Sequence, residues 1–247
     1  MTYDAILAET VTITGHGGDP LEAYSARPLD SGSRGGMVVI HHMPGYDSAT
    51  KEITRTFAVH GYNAVCPNLY WREAPGAAPD DAAATARAQG GVPDERLVGD
   101  VHGAMLYLDS LGNSNGKVAT IGYCSGGRQS WLANGSLSLA AAVVCYGAFI
   151  VGETPEGMPA RPPLGHLAAT QSGPVLGLWG NDDKYPTPEQ VDEIEALLKD
   201  AGKPYEFHRY DGAGHAFFSV DRPSYRPETA VDAWDKIWAF LDAHLAG

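Results

Sequence analysis

Short apolar runs rich in β-branched residues alternate along most of the chain with stretches in which apolar residues recur at helical spacing. This alternation is typical of a mainly parallel β-sheet with helices on both faces. The first two runs alternate polar with apolar residues and are joined by the turn-forming segment 15–20, which predicts a hairpin at a sheet edge. The eight predicted strands are 8–14, 21–26, 36–42, 62–67, 117–122, 141–146, 174–180 and 205–210.

Two helices are identified by their ends. The first has an N-cap and capping box beginning at Thr187, with Pro188 at its first position, and it stops before Gly202. The second begins near Pro227, and one of its faces is predicted to pack on the sheet. That face carries Val231, Trp234, Trp238 and Leu241.

The pattern is interrupted between Trp71 and Pro93, where Pro, Gly, Ala and Asp predominate. We interpret this stretch as a long loop, and a loop that follows the carboxyl end of a strand lies where parallel sheets place their ligands. No internal repeat or linker-like break is found. A single domain over 1–247 is therefore predicted.

The charge and hydropathy of the chain limit the kinds of partner that we expect it to bind. The 247 residues include 17 basic and 30 acidic side chains, a formal net charge of −13, and an acidic surface repels nucleic acid. The start of the chain lacks a secretory signal pattern, and no apolar run reaches the roughly 18 residues needed to span a bilayer. We therefore expect a cytoplasmic protein with a small-molecule partner, no nucleic-acid or membrane partner, and an oligomeric state that the sequence does not indicate.

The three cysteines, Cys66, Cys124 and Cys145, are widely spaced and include no C-x-x-C pair. In a reducing compartment they are expected to be free thiols. Cys66 and Cys145 lie inside apolar runs and are interpreted as core residues. Cys124 lies in a different context, where reactivity is the better explanation.

Cys124 follows a predicted strand in the segment Gly122-Tyr-Cys-Ser-Gly126. This is the pattern of a nucleophile elbow, a sharp strand-to-helix turn that tolerates only small residues two before and two after the nucleophile. Ser125 fails that rule because Tyr123 would then stand where glycine is needed. The helix that follows favours a thiolate at Cys124 through its dipole.

A thiol nucleophile needs a base, and the base needs an orienting carboxylate. In elbow enzymes the acid precedes the histidine, and each follows a late strand. We assign Asp182, after the strand 174–180, as the acid and His215, after the strand 205–210, as the base; whether Asp183 is the acid instead is left open. His208 lies inside its strand and is interpreted as a surface residue.

Acyl transfer also needs donors for the oxyanion. The amide of Ser125 supplies one, and the amide of Met43, in the turn after the third strand, is predicted to supply the other. The neighbouring His41 and His42 suggest a metal site only weakly, because adjacent strand residues point to opposite faces and no third ligand has a recognisable spacing. No metal and no cofactor are predicted.

These residues resemble the dienelactone hydrolases of the α/β-hydrolase fold. The resemblance rests on the segments 67–76, 114–118, 122–127 and 180–182 and on Gly214-His215. It implies a Cys-His-Asp triad that attacks an enol lactone through an acyl-enzyme, with Arg72 holding a substrate carboxylate. His42 and Tyr123 are also predicted to contact the substrate. Two features depart from the family pattern: His42 stands where the dienelactone-cleaving members typically carry Glu, and the Arg expected shortly after the catalytic His is absent from 217–219.

The sequence thus predicts a cysteine-nucleophile hydrolase of a small ester or enol lactone. The alternative is a redox-sensing or non-catalytic small-molecule binder on the same fold, because a reactive thiol beside a histidine is also readily oxidised. With a net charge of −13, an anionic lactone would depend on local cations, chiefly Arg72 and also Arg128. An ester of lower charge is therefore a rival substrate.

Overall fold

The chain forms an eight-stranded β-sheet in the computed structural model, which describes residues 5–156 and 160–246. The strand order is β1-β2-β4-β3-β5-β6-β7-β8. All eight predicted strands are confirmed, with ends that differ by at most three residues. Their bounds are β1 Ile6–Thr14, β2 Pro20–Pro28, β3 Arg34–Ile40, β4 Asn63–Pro67, β5 Ser114–Tyr123, β6 Ala141–Cys145, β7 Val175–Gly180 and β8 Tyr205–Tyr210.

The pairing of the strands follows the sequence pattern. β1 and β2 form the predicted antiparallel hairpin at one edge, and β2 is also antiparallel to β4. The pairs β3–β4, β6–β7 and β7–β8 are parallel. Every residue of β4, β6 and β7 is buried, as expected for strands covered on both faces. β3 ends at Ile40, so His41 and His42 lie in the loop after it and not, as predicted, in the strand.

Helices pack against the sheet, and the capping residues predicted from the sequence are found at one of them. The helix that begins after Thr187 has the predicted capping box, with both reciprocal hydrogen bonds formed. The described α-helices are α1 Ser48–Val59, α2 Pro79–Ala88, α3 Asp94–Asp109, α4 Ser125–Ser136, α5 Pro188–Asp200 and α6 Pro227–Leu245. None of the helices in the described ranges is both long enough and apolar enough to cross a bilayer.

Two helix predictions are corrected. The stretch between Trp71 and Pro93 is not a continuous loop, because α2 occupies its centre with Pro79 at the first position and buried alanines on one side. On α6, Val231 is 61% exposed, whereas Leu241 is fully buried. The face that packs inward is instead formed by Ala230, Ala233, Ile237, Phe240 and Leu241.

The described chain divides into two compact units, one comprising the residues through Thr120 with Leu245 and Ala246, the other Ile121–His244. In the first unit, α3 approaches the hairpin so closely that a Cβ on Gly103 would lie 1.8 Å from the carbonyl oxygen of Thr14. The second unit contains β6, β7, β8, α4 and α5. The assignment of 1–247 to a single domain stays a prediction.

Candidate active site

Cys124 occupies a sharp turn between β5, which ends at Tyr123, and α4, which begins at Ser125. Its φ of 59° and ψ of −119° are strained for a residue with a side chain, as is common at functional sites. A Cβ on Gly122 would lie only 1.9 Å from the carbonyl oxygen of Gly126, so the turn closes only with glycine at 122. The strand, turn and helix that the elbow motif requires are therefore all present.

The elbow is fixed to the neighbouring strand. The amide of Cys124 donates to the carbonyl oxygen of Cys145 at 3.1 Å. Cys124 is partly exposed, whereas Cys66 and Cys145 are fully buried. Burial raises the pKa of both buried thiols, which disfavours their reactive thiolate form. Of the three cysteines, only Cys124 is therefore placed to react with a solute.

His215 is held by a carboxylate, and that carboxylate belongs to Asp183. The Nδ1 of His215 lies 2.8 Å from Oδ2 of Asp183, whose side chain is only 2% exposed. The assignment of Asp182 as the acid is wrong: Asp182 is exposed, and its amide donates to the carbonyl oxygen of Ala213 at 2.9 Å. The second oxygen of Asp183 accepts from the amide of Tyr185 at 2.9 Å, which fixes the carboxylate.

The other side of the imidazole is hydrogen-bonded to Cys124. Burial lowers the pKa of His215, but the hydrogen bonds to Asp183 and Cys124 and the charges of both groups outweigh it and raise the pKa to about 10. The imidazole is consequently protonated at neutral pH. Sulfur, imidazole and carboxylate thus form one continuous chain of contacts in the second unit.

Aromatic rings surround the histidine. The ring of Tyr146 lies edge-on to His215, with centroids 5.1 Å apart, and also contacts Phe217 at 5.1 Å. The hydroxyl of Tyr146 is hydrogen-bonded to the backbone of Phe218, which ties the segment after His215 to the end of β6. Tyr123 packs against Tyr146 and Phe218 and is only 4% exposed, so its position does not support the substrate contact predicted for it.

Arg72, in the first unit, was predicted to hold a substrate carboxylate, but its guanidinium is already paired. Nη1 and Nη2 each donate to one oxygen of Asp100 at 2.9 Å, and Nε donates to Asp19 at 2.9 Å. The side chain of Asp100 is fully buried. Such a bidentate pair satisfies the planar fork of the arginine. The structure therefore assigns Arg72 a structural role and corrects the prediction.

Arg128, the second candidate cation, is 4% exposed, and its Nη2 donates to the carbonyl oxygen of Pro162 at 2.8 Å. The amide of Ser125 is the first of α4, and amides of the first helical turn have no intrahelical acceptor. That position agrees with the predicted oxyanion donor. Met43 is 43% exposed, and its carbonyl oxygen accepts from the hydroxyl of Tyr70. The oxyanion role of the Met43 amide stays a prediction.

The two histidines after β3 have structural partners. Nε2 of His42 lies 2.6 Å from Asp47, the N-cap residue of α1. His41 is buried; its Nδ1 donates to the carbonyl oxygen of His42, its Nε2 accepts from the amide of Leu69, and burial lowers its pKa to about 4. Nowhere in the described ranges do three or more His, Cys, Asp or Glu side chains form a metal-binding group. The substrate contact predicted for His42 stays a prediction.

Comparison with known proteins agrees with this geometry. The fold is that of the α/β-hydrolases, and residues 21–245 match the model of the dienelactone hydrolase family. The chain is 32% identical over 242 residues to a "putative carboxymethylenebutenolidase" of Salmonella typhimurium, covering 96% of this chain and 87% of that one. It is 27% identical over 250 residues to a "probable 2-oxo-3-(5-oxofuran-2-ylidene)propanoate lactonase" of Bradyrhizobium, covering 100% and 98%.

Among solved structures, the crystal structure of a "putative dienelactone hydrolase" from Klebsiella pneumoniae superposes with a TM-score of 0.84 at 29% identity. That alignment covers 96% of this chain and 98% of the other. The chain therefore belongs to the dienelactone hydrolase family, whose members hydrolyse carboxylic ester and lactone bonds. The family resemblance, the fold and the enzyme class expected from the sequence are confirmed.

Proposed function

We propose that the protein hydrolyses a small carboxylic ester or enol lactone through a covalent acyl-enzyme on Cys124. The observation that carries the proposal is the continuous contact from Cys124 through His215 to the buried carboxylate of Asp183. A nucleophile, a base and an orienting acid joined in this order form a catalytic triad. The strained elbow presents the sulfur at the end of a strand, where it is partly exposed.

In the acylation step, the sulfur of Cys124 attacks the carbonyl carbon, and the carbonyl π electrons move to oxygen. The oxyanion accepts a hydrogen bond from the amide of Ser125. When the tetrahedral intermediate collapses, the bond from the carbonyl carbon to the ester oxygen breaks. His215 gives its proton to that oxygen, which departs as an alcohol or enol or, in a lactone, stays tethered to the acyl chain.

In the deacylation step, the imidazole of His215 is neutral and takes a proton from water as the water attacks the thioester carbon. The bond from carbon to sulfur then breaks, the carboxylic acid is released, and the sulfur is again paired with a protonated imidazole. Asp183 orients the ring through Nδ1 in both steps and stabilises its positive charge. The cycle consumes one water molecule and leaves the enzyme unchanged.

The names of the relatives suggest unsaturated lactones as the substrate class, and two features of this chain favour substrates of lower charge. Arg72 is bound to Asp100 and Asp19. Phe217 and Phe218, both buried, follow His215 where the family resemblance leads one to expect an arginine. We therefore propose that neutral esters and lactones are hydrolysed at least as well as anionic lactones.

The assay is hydrolysis of p-nitrophenyl acetate by Cys124→Ala, with Cys145→Ala, the neighbouring buried thiol, as the matched control. We expect Cys124→Ala to lower kcat/KM by at least about 10³-fold and Cys145→Ala to retain activity, because only the former removes the nucleophile. Unchanged turnover in Cys124→Ala would contradict the proposal. Oxidation of Cys124 without any turnover in the wild type would favour the redox-sensing alternative.

A further inference from the structure

The last strand of the sheet leaves one side unpaired within the described part of the chain. β8 (Tyr205–Tyr210) ends the strand order and pairs with β7 alone. The amide of Val175 donates to the carbonyl oxygen of Pro204, and the amide of Asn181 donates to that of Tyr210. Since residues alternate along a strand, the even-numbered positions of β8 bond to β7. The amides and carbonyls of Tyr205, Phe207 and Arg209 therefore point away from the sheet.

Within the described residues, this edge carries the charged side chains of Glu206 and Arg209 but has no lysine, proline or bulge. Proteins protect an edge with charged side chains, lysine above all, or with proline, a bulge or a covering segment. β8 reads Tyr-Glu-Phe-His-Arg-Tyr, none of its residues is fully buried, and its register with β7 runs without a bulge from Tyr205 to Tyr210. The rings of Tyr205 and Phe207 lie 5.2 Å apart on one face. The edge is thus a regular, accessible template for another strand.

The residue order along β8 suits pairing with an identical strand. Two copies of β8 can pair in antiparallel fashion about a twofold axis perpendicular to the sheet. Residues opposite each other in such a pair lie on the same face of the sheet, and the axis leaves every side chain on its own face. The axis must therefore pass midway between the two copies of one residue. An axis at Phe207 places the two Phe207 side chains opposite each other. It places Tyr205 opposite Arg209 of the second copy, and Glu206 opposite His208 of the second copy.

Registers with the axis one residue to either side of Phe207 are less favourable for pairing. An axis at Glu206 brings two carboxylates together, and an axis at His208 brings two imidazoles together, and like groups directly opposite each other are unfavourable when charged. The axis at Phe207 also aligns all three outward-pointing residues with outward-pointing residues of the second copy, so their backbone groups can be satisfied. Within one chain, His208 and Glu206 already lie 2.6 Å apart on the same face, which shows that this pair of side chains is compatible.

We propose that two copies of this chain associate through β8 in antiparallel register about Phe207, joining their two sheets into one. The contact is isologous, as in most homodimers. With a net charge of −13 on each copy, long-range repulsion opposes association. The complementary Glu206 and His208 pairs and the backbone hydrogen bonds must therefore supply the attraction.

The first experiment measures mass by sedimentation equilibrium over a range of concentrations. The wild type is expected to approach twice the chain mass. Glu206→Lys is expected to remain a monomer, because it sets a lysine against His208 of the second copy. The double variant Glu206→Lys, His208→Glu is expected to recover the dimer. Circular dichroism and ester hydrolysis confirm that each variant is folded. A wild type that is monomeric throughout, or a Glu206→Lys variant that dimerises like the wild type, would overturn the proposal.

The second experiment tests the register in a Cys124→Ala background. Glu206→Cys and His208→Cys are each oxidised alone and then as an equal mixture. Each variant has one new cysteine, and position 206 lies opposite position 208 of the second copy, so an intermolecular disulfide is expected in the mixture and not in either variant alone. Cross-linking of each single variant as strongly as the mixture would contradict this register, as would a mixture that gives no disulfide.

Discussion

Two histidine–carboxylate pairs of nearly equal length lie in loops that follow strands of the sheet, and only one of them has the partners of a catalytic pair. Nδ1 of His215 lies 2.8 Å from Asp183, and Nε2 of His42 lies 2.6 Å from Asp47. His42 and Asp47 are five residues apart within one loop, and Asp47 also accepts from the amide of Thr50 to cap α1. His215 and Asp183 are brought together by the ends of two parallel strands.

The difference lies in what surrounds each pair. The imidazole of His215 is also hydrogen-bonded to the sulfur of Cys124, which lies at a strained turn, and the pKa of His215 is raised to about 10. The carboxylate of Asp47 is largely committed to a helix terminus. A short distance between histidine and carboxylate is therefore not sufficient evidence of catalysis; a nucleophile in contact with the imidazole is the distinguishing feature.

The largest effect is expected from the carboxylate of the first pair. Asp183→Asn should lower kcat for ester hydrolysis by on the order of 10²–10⁴-fold, because the neutral amide neither fixes the imidazole tautomer nor stabilises its charge. The matched control is Asp182→Asn, one residue away and exposed, which should change kcat by less than about twofold. A larger loss in Asp182→Asn than in Asp183→Asn would reverse the assignment of the acid.

The next effect concerns the ion pair that holds Arg72. Arg72→Ala leaves Asp100 buried without its cation and should lower the free energy of unfolding by about 3 kcal/mol. Asp19→Ala removes the exposed partner and should cost less than about 1 kcal/mol. Urea denaturation measures both. A specific rise in KM for anionic substrates in Arg72→Ala, with stability unchanged, would restore the substrate role.

A smaller effect is expected at the second histidine pair. Asp47→Ala removes the N-cap of α1 and should lower the free energy of unfolding by about 1 kcal/mol. Asp47→Asn keeps a capping side chain and should cost less, while both variants retain most of the ester hydrolysis. If Asp47→Ala abolished turnover as completely as Asp183→Asn, the contrast between the two pairs would fail.

The smallest effect is on the pH dependence of stability. Because the pKa of His215 rises from 6.5 in the unfolded chain to about 10 in the folded protein, its protonation stabilises the fold fully below pH 6.5. That contribution is lost as the pH rises toward 10. It amounts to about 1 kcal/mol or less, because solvent screens a side chain that is 33% exposed. Asp183→Asn should flatten this decline; an equal decline in both proteins would contradict the coupling.

The sequence predicted those features that depend on local pattern. The strands follow from apolar periodicity, the start of α5 follows from the capping box at Thr187, and the position of Cys124 follows from the glycines of the elbow. Helix α2 was missed because its alanine-rich sequence lacks a strong apolar stripe and lies among prolines and glycines. Its Pro79 and the acidic residues of its first turn were the available signal.

The site residues that were predicted wrongly depend on contacts between distant segments. Asp182 and Asp183 are equivalent in sequence, and only the packing of their loop against 213–214 shows which side chain turns inward. Arg72 resembles a substrate-binding cation until Asp100, 28 residues away on α3, is seen to bind it. Neither relation leaves a periodic or compositional trace in the sequence.

The most direct test of the central claim is to trap the acyl-enzyme. The protein is mixed with excess p-nitrophenyl acetate, quenched in acid during the first turnover, and examined by intact mass and peptide mapping. We predict one acetyl group on Cys124 in the wild type and in Cys145→Ala, and none in Cys124→Ala. Turnover in the wild type without an adduct, or with the acetyl group on another residue, would contradict the account.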